Sequence, residues 1–132
     1  MRKRFWKGLK AIDLVIMIGL LMMVSAVVYV RYDAFACRSM QSEVKFSLNQ
    51  IYAAQKLYHA EHDHFASLDI LLNQDGRVVI GQHYYSFSDA IKPEQDRFSI
   101  QALGRAHTLV AGEAWLIDEK KELINVKSVC KK

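Results

Sequence analysis

Residues 14–30 read LVIMIGLLMMVSAVVYV and carry no charge. Ser25 and Tyr29 are the only polar side chains in the run. Extended back over Ala11 and Ile12, it is interrupted only by Asp13. About 20 apolar residues in a helix span the hydrocarbon core of a bilayer, so a membrane span is expected here. Charge placement agrees. The chain holds 18 Lys and Arg against 14 Asp and Glu, a net charge of +4. Arg2, Lys3, Arg4, Lys7 and Lys10 against Asp13 supply that whole excess, and the remaining 13 basic and 13 acidic side chains cancel. A nucleic-acid binder usually spreads a basic excess over its folded surface. The whole-chain balance does not do so, and no nucleic acid is assigned as a partner at this level. The positive-inside tendency puts the N-terminus in the cytoplasm and exports the rest.

Three readings of the run compete. A cleaved secretory signal peptide fits the basic start. The run is long for one, however, and no small-x-small site ends it, since Ser25-Ala26-Val27 is embedded in apolar sequence. An uncleaved single-pass anchor is the second reading. The third turns on the residues in front, Lys7-Gly8-Leu9-Lys10-Ala11-Ile12-Asp13-Leu14. A carboxylate at the mouth of a membrane helix is costly unless it is paired or near water. Lys10 lies three residues before Asp13 on the same helix face, where the two could pair. The arrangement resembles the type IV prepilin signal, in which a Gly is followed by an apolar residue and an acid stands fifth after the cut. The cut would fall between Gly8 and Leu9, with Asp13 as the fifth residue. Leu9, Lys10 and Asp13 stand where that family most often has Phe, Thr and Glu.

The stretch after the run extends the resemblance. Arg38, Ser39, Gln41, Ser42, Glu43 and Lys45 lead into Leu48, Ile51, Tyr52, Ala54, Gln55 and Tyr58. The order and spacing are similar to the pilin helix pattern R-S-x-Q-S-E-x-K-x-x-L-x-x-I-Y-x-A-Q-x-x-Y. The C-terminal stretch from Trp115 to Cys130 is similar to the end of the same family. Residues 68–92 match it least.

Elementary periodicity supports a helix here without that resemblance. Neither Gly nor Pro occurs between Leu20 and Asp75. Met40, Val44, Leu48, Ile51, Ala54 and Tyr58 recur at spacings of three and four, one stripe on a helix. Arg38, Glu43, Lys45, Gln50 and Lys56 fall on other faces. A helix over 9–61 would be roughly 80 Å long. It would be apolar all round in its first half and amphipathic in its second. After Asp63 the helical period stops. Phe65-Ala66-Ser67-Leu68 reads as a turn with a short helix or loop behind it, and Asp75-Gly76 is a turn signal. Strands are expected at 77–80, 83–88, 97–102, 109–117 and 123–126, the last two forming a terminal hairpin. The expected fold class is α+β, a long N-terminal helix packed on a C-terminal antiparallel sheet. Its expected divisions are a leader at 1–8, an apolar helix at 9–30, its amphipathic continuation at 31–64 and a sheet region at 65–132.

Side chains that could carry chemistry are few. Cys37 and Cys130 stand 93 positions apart. On the exported side a disulfide between them is permitted. Free thiols, an intermolecular bridge or a lipidated Cys37 are the other readings. His59, His62 and His64, with Glu61 and Asp63, form the densest group of potential ligands. A zinc site needs more ligands in fixed geometry, and a solvated helix end explains the group as well; no metal and no cofactor are expected. The sequence has no nucleophile elbow, phosphate loop or glycine-rich cofactor turn, so no catalytic residues are assigned. Tyr84, Tyr85, Phe87 and Phe98 are expected in a sheet core.

The resemblance implies a function that composition does not. A type IV pilin or minor pilin is cut by a prepilin peptidase after Gly8 and methylated on the amine of Leu9. It waits in the bacterial inner membrane with its sheet domain in the periplasm. An assembly platform then packs it with other pilin subunits into a surface filament. Asp13 would pair with a neighbouring subunit's Leu9 amine. A pseudopilin of a type II secretion system and an uncleaved periplasmic interaction domain are the alternatives.

Overall fold

The computed structural model describes residues 2–74, 76 and 78–130, and at residues 2–9, Val30 and Gln74 the backbone alone. One helix, α1 (Arg2–His62), precedes a π-helical turn at Ile70–Gln74 and four strands. These are β1 (Tyr85–Ile91), β2 (Ser99–Gly104), β3 (Ala114–Asp118) and β4 (Leu123–Lys127). They form one sheet in the order β1-β2-β3-β4, and every neighbouring pair is antiparallel. The fold is α+β, as the sequence predicts. The chain divides into two compact units, Met1–Phe35 and Ala36–Lys132, and α1 contributes to both.

In the first unit the helix from Lys10 to Tyr29 is 20 residues long and apolar enough to cross a bilayer, and none of it is buried. Ser25 does not interrupt it, because its hydroxyl donates to the Leu21 carbonyl at 2.7 Å. That bond satisfies the hydroxyl within the helix itself.

The second unit is built on the predicted stripe. Val44, Leu48, Ile51 and Ala54 are buried, with Met40 and Tyr58 half-buried against them. They meet the inward residues of the sheet, Tyr85, Ile100, Ala102, Trp115 and Ile117. Ala102 lies opposite Trp115 and Ile100 opposite Ile117, two cross-strand pairs on the same buried face.

Helix α1 ends where Asp63 takes φ 59 and its N–H bonds the His59 carbonyl at 2.8 Å. A residue in the left-handed region just past the last turn is a common helix stop. The chain then folds back, burying Phe65, Ala66 and Leu68. Gln55, fully buried on the helix, donates to Ala66 O at 2.6 Å and accepts from Ala66 N at 3.0 Å. One amide side chain thus plays a strand's part to a loop residue whose backbone would otherwise be buried unpaired.

Two expected strands are corrected. Residues 78–80 are not in the sheet, and Arg77, with Asp75, lies outside the described residues. Val78 is buried while Val79 is exposed, so the alternation is present. It serves to plug the core rather than to extend a ladder. The strand expected at 109–117 begins only at Ala114. Residues 109–112 form a turn in which Val110 is fully buried and Gly112 takes φ 80. At Gly104 a Cβ would collide with the Val110 carbonyl, so the backbones approach there as only glycine permits. The terminal hairpin stands, with Leu116 paired to Ile124 and Ile117 to Leu123.

Candidate functional site: the exposed apolar helix and the anchored sheet unit

The apolar helix carries the first group of predicted residues. Lys10 and Asp13 are both exposed. Among the described residues no ion pair joins them, so the intrahelical pairing expected from their spacing does not form. Gly8 and Leu9 fall within α1, and their side chains lie outside those described. Ile12, Leu14, Met17, Leu21 and Val24 are each more than half exposed. Burial of apolar area is worth about 25 cal/mol per Å², and this helix leaves that surface unused within its own chain.

The motif residues begin the second unit. Arg38 and Ser39 are exposed. Ser42 Oγ donates to the Arg38 carbonyl at 3.1 Å, one turn back. The Glu43 carboxylate occupies the space beside Gly81, where a Cβ would stand 2.7 Å from its Oε1. Gln41 Nε2 donates to Glu113 Oε1 at 2.6 Å. Cys37 and Cys130 are disulfide-bonded, with Cα atoms 5.8 Å apart. The bond joins α1 near the start of the second unit to the segment that follows β4. Of the alternatives left open by the sequence, the intramolecular bridge is therefore the one realised.

Glu113 was invisible to sequence reasoning. It is fully buried and accepts three hydrogen bonds from three elements. Gln41 comes from α1, Tyr85 Oη from β1 at 2.5 Å, and Asn125 Nδ2 from β4 at 3.1 Å. A buried carboxylate is tolerated when its lone pairs are satisfied. The three donors hold the helix and both edges of the sheet to one point. A lone Glu before a strand gives no periodic signal; only the fold brings its donors together. Burial first, and then the hydrogen bond and charge of Glu113, push the Tyr85 hydroxyl well above its ordinary range.

The histidines do not converge. His59 Nε2 lies 2.9 Å from the Gln95 carbonyl, and His62 Nδ1 lies 3.1 Å from the Tyr58 carbonyl. His64 Nδ1 lies 2.8 Å from the His62 carbonyl. The His62 ring stacks on Tyr58 with centroids 4.0 Å apart. Among the described residues no three His, Cys, Asp or Glu side chains are gathered to hold a metal ion. An open groove of about 420 Å³ lined by Gln50, Ala53, Ala54, Leu57 and Val79 offers contact surface and no titratable group.

The arrangement is therefore an unburied apolar helix continued by a cross-linked sheet unit. No family model matches the sequence, and no curated protein matches it significantly.

Proposed function

We propose that this chain is a type IV pilin-like structural subunit, major or minor, cut after Gly8 and assembled through its N-terminal helix into a pilus. The observation that carries the reading is the division of labour along α1. Its residues Lys10–Tyr29 are wholly unburied, while its later residues Val44, Leu48 and Ile51 form the core of a disulfide-closed sheet unit. A helix of this kind needs an apolar environment for one part and none for the other. A bilayer supplies that environment before assembly, with the N-terminus cytoplasmic and the sheet unit periplasmic. Neighbouring copies of the same helix supply it afterwards.

In this reading Asp13 sets the register. A carboxylate and an N-terminal ammonium are each costly in an apolar filament core, and pairing them removes two unpaired charges at once. The ammonium is the methylated amine of Leu9 in an adjacent subunit. Lys10 is not bonded to Asp13, which leaves the carboxylate available for that partner. Removing residues 1–8 also removes Arg2, Lys3, Arg4 and Lys7, so the mature subunit has equal numbers of basic and acidic side chains.

N-terminal mass spectrometry of the membrane-extracted protein tests the reading. A chain beginning at N-methylated Leu9 supports it. An intact Met1 favours the uncleaved anchor, and a start beyond Val24 favours a signal peptide; either defeats the pilin reading. A cleaved subunit found in a type II secretion pseudopilus instead of a surface pilus reassigns it to the pseudopilins.

A further inference from the structure

The second unit has two chemically different ends. At one of them α1 enters at Ala36, β2 leaves the sheet at Gly104, β3 begins at Ala114 and β4 stops at Lys127. Register brings those strand ends together, with Leu103 opposite Ala114 and Ala114 opposite Lys127. The helix joins them there, since Cys37 Sγ lies 3.7 Å from the Leu109 carbonyl and is bonded to Cys130. Arg38, Arg105 and Lys127 are all exposed at this end. Among the described residues none of the three is in an ion pair. Residues 34–42, 97–112 and 123–130 contain no Asp or Glu. Two acids do approach. Glu113 is fully buried and hydrogen-bonded, and Glu43 is half-buried with its carboxylate against Gly81. The exposed acids of the sheet, such as Asp89 and Glu122, lie toward its other end.

Apolar side chains share the basic end. The turn at 105–112 buries Val110 yet leaves Leu109 41% exposed, and Val129, next to Cys130, is 40% exposed. The turn is held by its own bonds. Thr108 Oγ1 donates to the Arg105 carbonyl at 2.7 Å, and the Ala111 N–H donates to the Thr108 carbonyl at 3.2 Å. His107 at φ 66 and Gly112 at φ 80 reverse the chain within it. The electrical balance of residues 14–132 thus hides an end that is basic and tipped with aliphatic side chains.

Two properties of this end select its partner. Spaced cations without exposed acids match a surface of anions better than a mixed-charge protein. Exposed aliphatic side chains among them match a surface with hydrocarbon beneath its charge. A layer of anionic phospholipid has both properties, whereas a soluble anion has only the charge. This is also the end by which the unit is tethered. Cys37 follows Tyr29, the last residue of the apolar stretch, by eight positions, so a bilayer holding that stretch is within reach of the chain. We infer that this end of the second unit docks on anionic phospholipid. Arg38, Arg105 and Lys127 meet headgroup phosphates, and Leu109 and Val129 meet the acyl boundary. The two guanidinium groups can each take a phosphate through paired N–H groups. The inference rests on the proposed membrane span, but neither cleavage nor filament assembly enters it.

Hydrogen exchange on the full chain in lipid nanodiscs tests this. Discs of phosphatidylcholine are compared with discs in which about a third of the lipid is phosphatidylglycerol. Each basic side chain at an anionic surface shifts the docking equilibrium about fivefold. Exchange at residues 106–110 and at Val129 therefore slows about fivefold or more in the anionic discs. The slowing disappears at about 1 M salt, where the Debye length is about 3 Å. Residues 119–122, in the turn at the other end, exchange alike in both discs. The triple variant Arg38→Gln/Arg105→Gln/Lys127→Gln loses the difference between discs, and Leu109→Ser reduces it. Thermal melts establish folding first, and the exposed single variant Lys127→Gln carries the test if the triple variant does not fold. A chain that does not co-elute with the discs overturns the membrane span and this inference together. A chain that inserts without the slowing overturns this inference alone. So does equal slowing in both kinds of disc, a lysine or arginine variant that behaves like the parent, or the same slowing in phosphatidylcholine discs on addition of free glycerol phosphate.

Discussion

The phenol of Tyr85 donates a 2.5 Å hydrogen bond to Oε2 of Glu113, with both residues withdrawn from water. The bond keeps the tyrosine proton in place. Burial is the larger cause, and the adjacent carboxylate adds to it. The folded-state pKa therefore lies above the ordinary phenol value of about 10. A raised pKa of this kind contributes stability that is complete below the unfolded value and is lost as pH rises beyond it. Above about pH 10 the unfolded chain gives up the proton while the folded one retains it. Unfolding free energy should then fall by up to about 1.4 kcal/mol per pH unit. Denaturant titrations between neutral and strongly alkaline pH should reveal this slope in the parent and a weaker one in Tyr85→Phe. At pH 7 the same variant should lose about 1.5–3 kcal/mol, the usual contribution of a hydrogen bond to a charged group. Equal alkaline slopes in the two proteins would falsify the assignment.

Gln55 holds the loop after α1 through both backbone groups of Ala66. Gln55→Leu fits the apolar surroundings in size yet strands a buried N–H and a buried C=O. Each such group costs about 1–3 kcal/mol, so a loss of about 2–4 kcal/mol is expected by urea denaturation. Hydrogen exchange should accelerate first at residues 65–68. A variant as stable as the parent would mean that water replaces the amide.

The disulfide closes 93 positions of chain. In the chain-entropy account a loop of that length contributes about 4–5 kcal/mol. Reduction, or paired Cys37→Ser and Cys130→Ser changes, should lower the denaturation midpoint by a corresponding amount. The Glu113 hydrogen bonds remain in that protein, so its α1–sheet contacts should persist in circular dichroism below the new midpoint.

Asp13→Ala should leave processing at Gly8 intact and impair assembly, because the leader is untouched and only the charge partner is gone. Quantifying sheared filaments against membrane-retained mature subunit separates the two effects. Filament yield equal to the parent's would remove Asp13 from the proposed mechanism.

Much of this fold is legible in the sequence because its principal signals are periodic. The uncharged run at 14–30 and the stripe from Met40 to Tyr58 each repeat one local rule over many residues. Their consequences, a span-length apolar helix and a buried helix face, are the ones described. The terminal hairpin from Ala114 is equally local. What failed was decided at a distance. Val78 and Val110 both belong to stretches of strand-like composition, yet each leaves the ladder to fill the core. Glu113 gave no pattern at all, since Gln41 is 72 positions away from it. In the candidate site, residue types were readable, but Lys10 and Asp13, both exposed, are not paired among the described residues.

The position of the disulfide has a mechanical consequence. Cys37 lies just inside the second unit, and its bonded partner lies beyond the last strand. Tension applied between the helical stem and the chain after Cys130 passes through one covalent bond and bypasses everything between the two cysteines. The strands and their turns lie within a covalent loop closed by that one bond. A subunit pulled by those ends would stretch its stem before it sheared a strand.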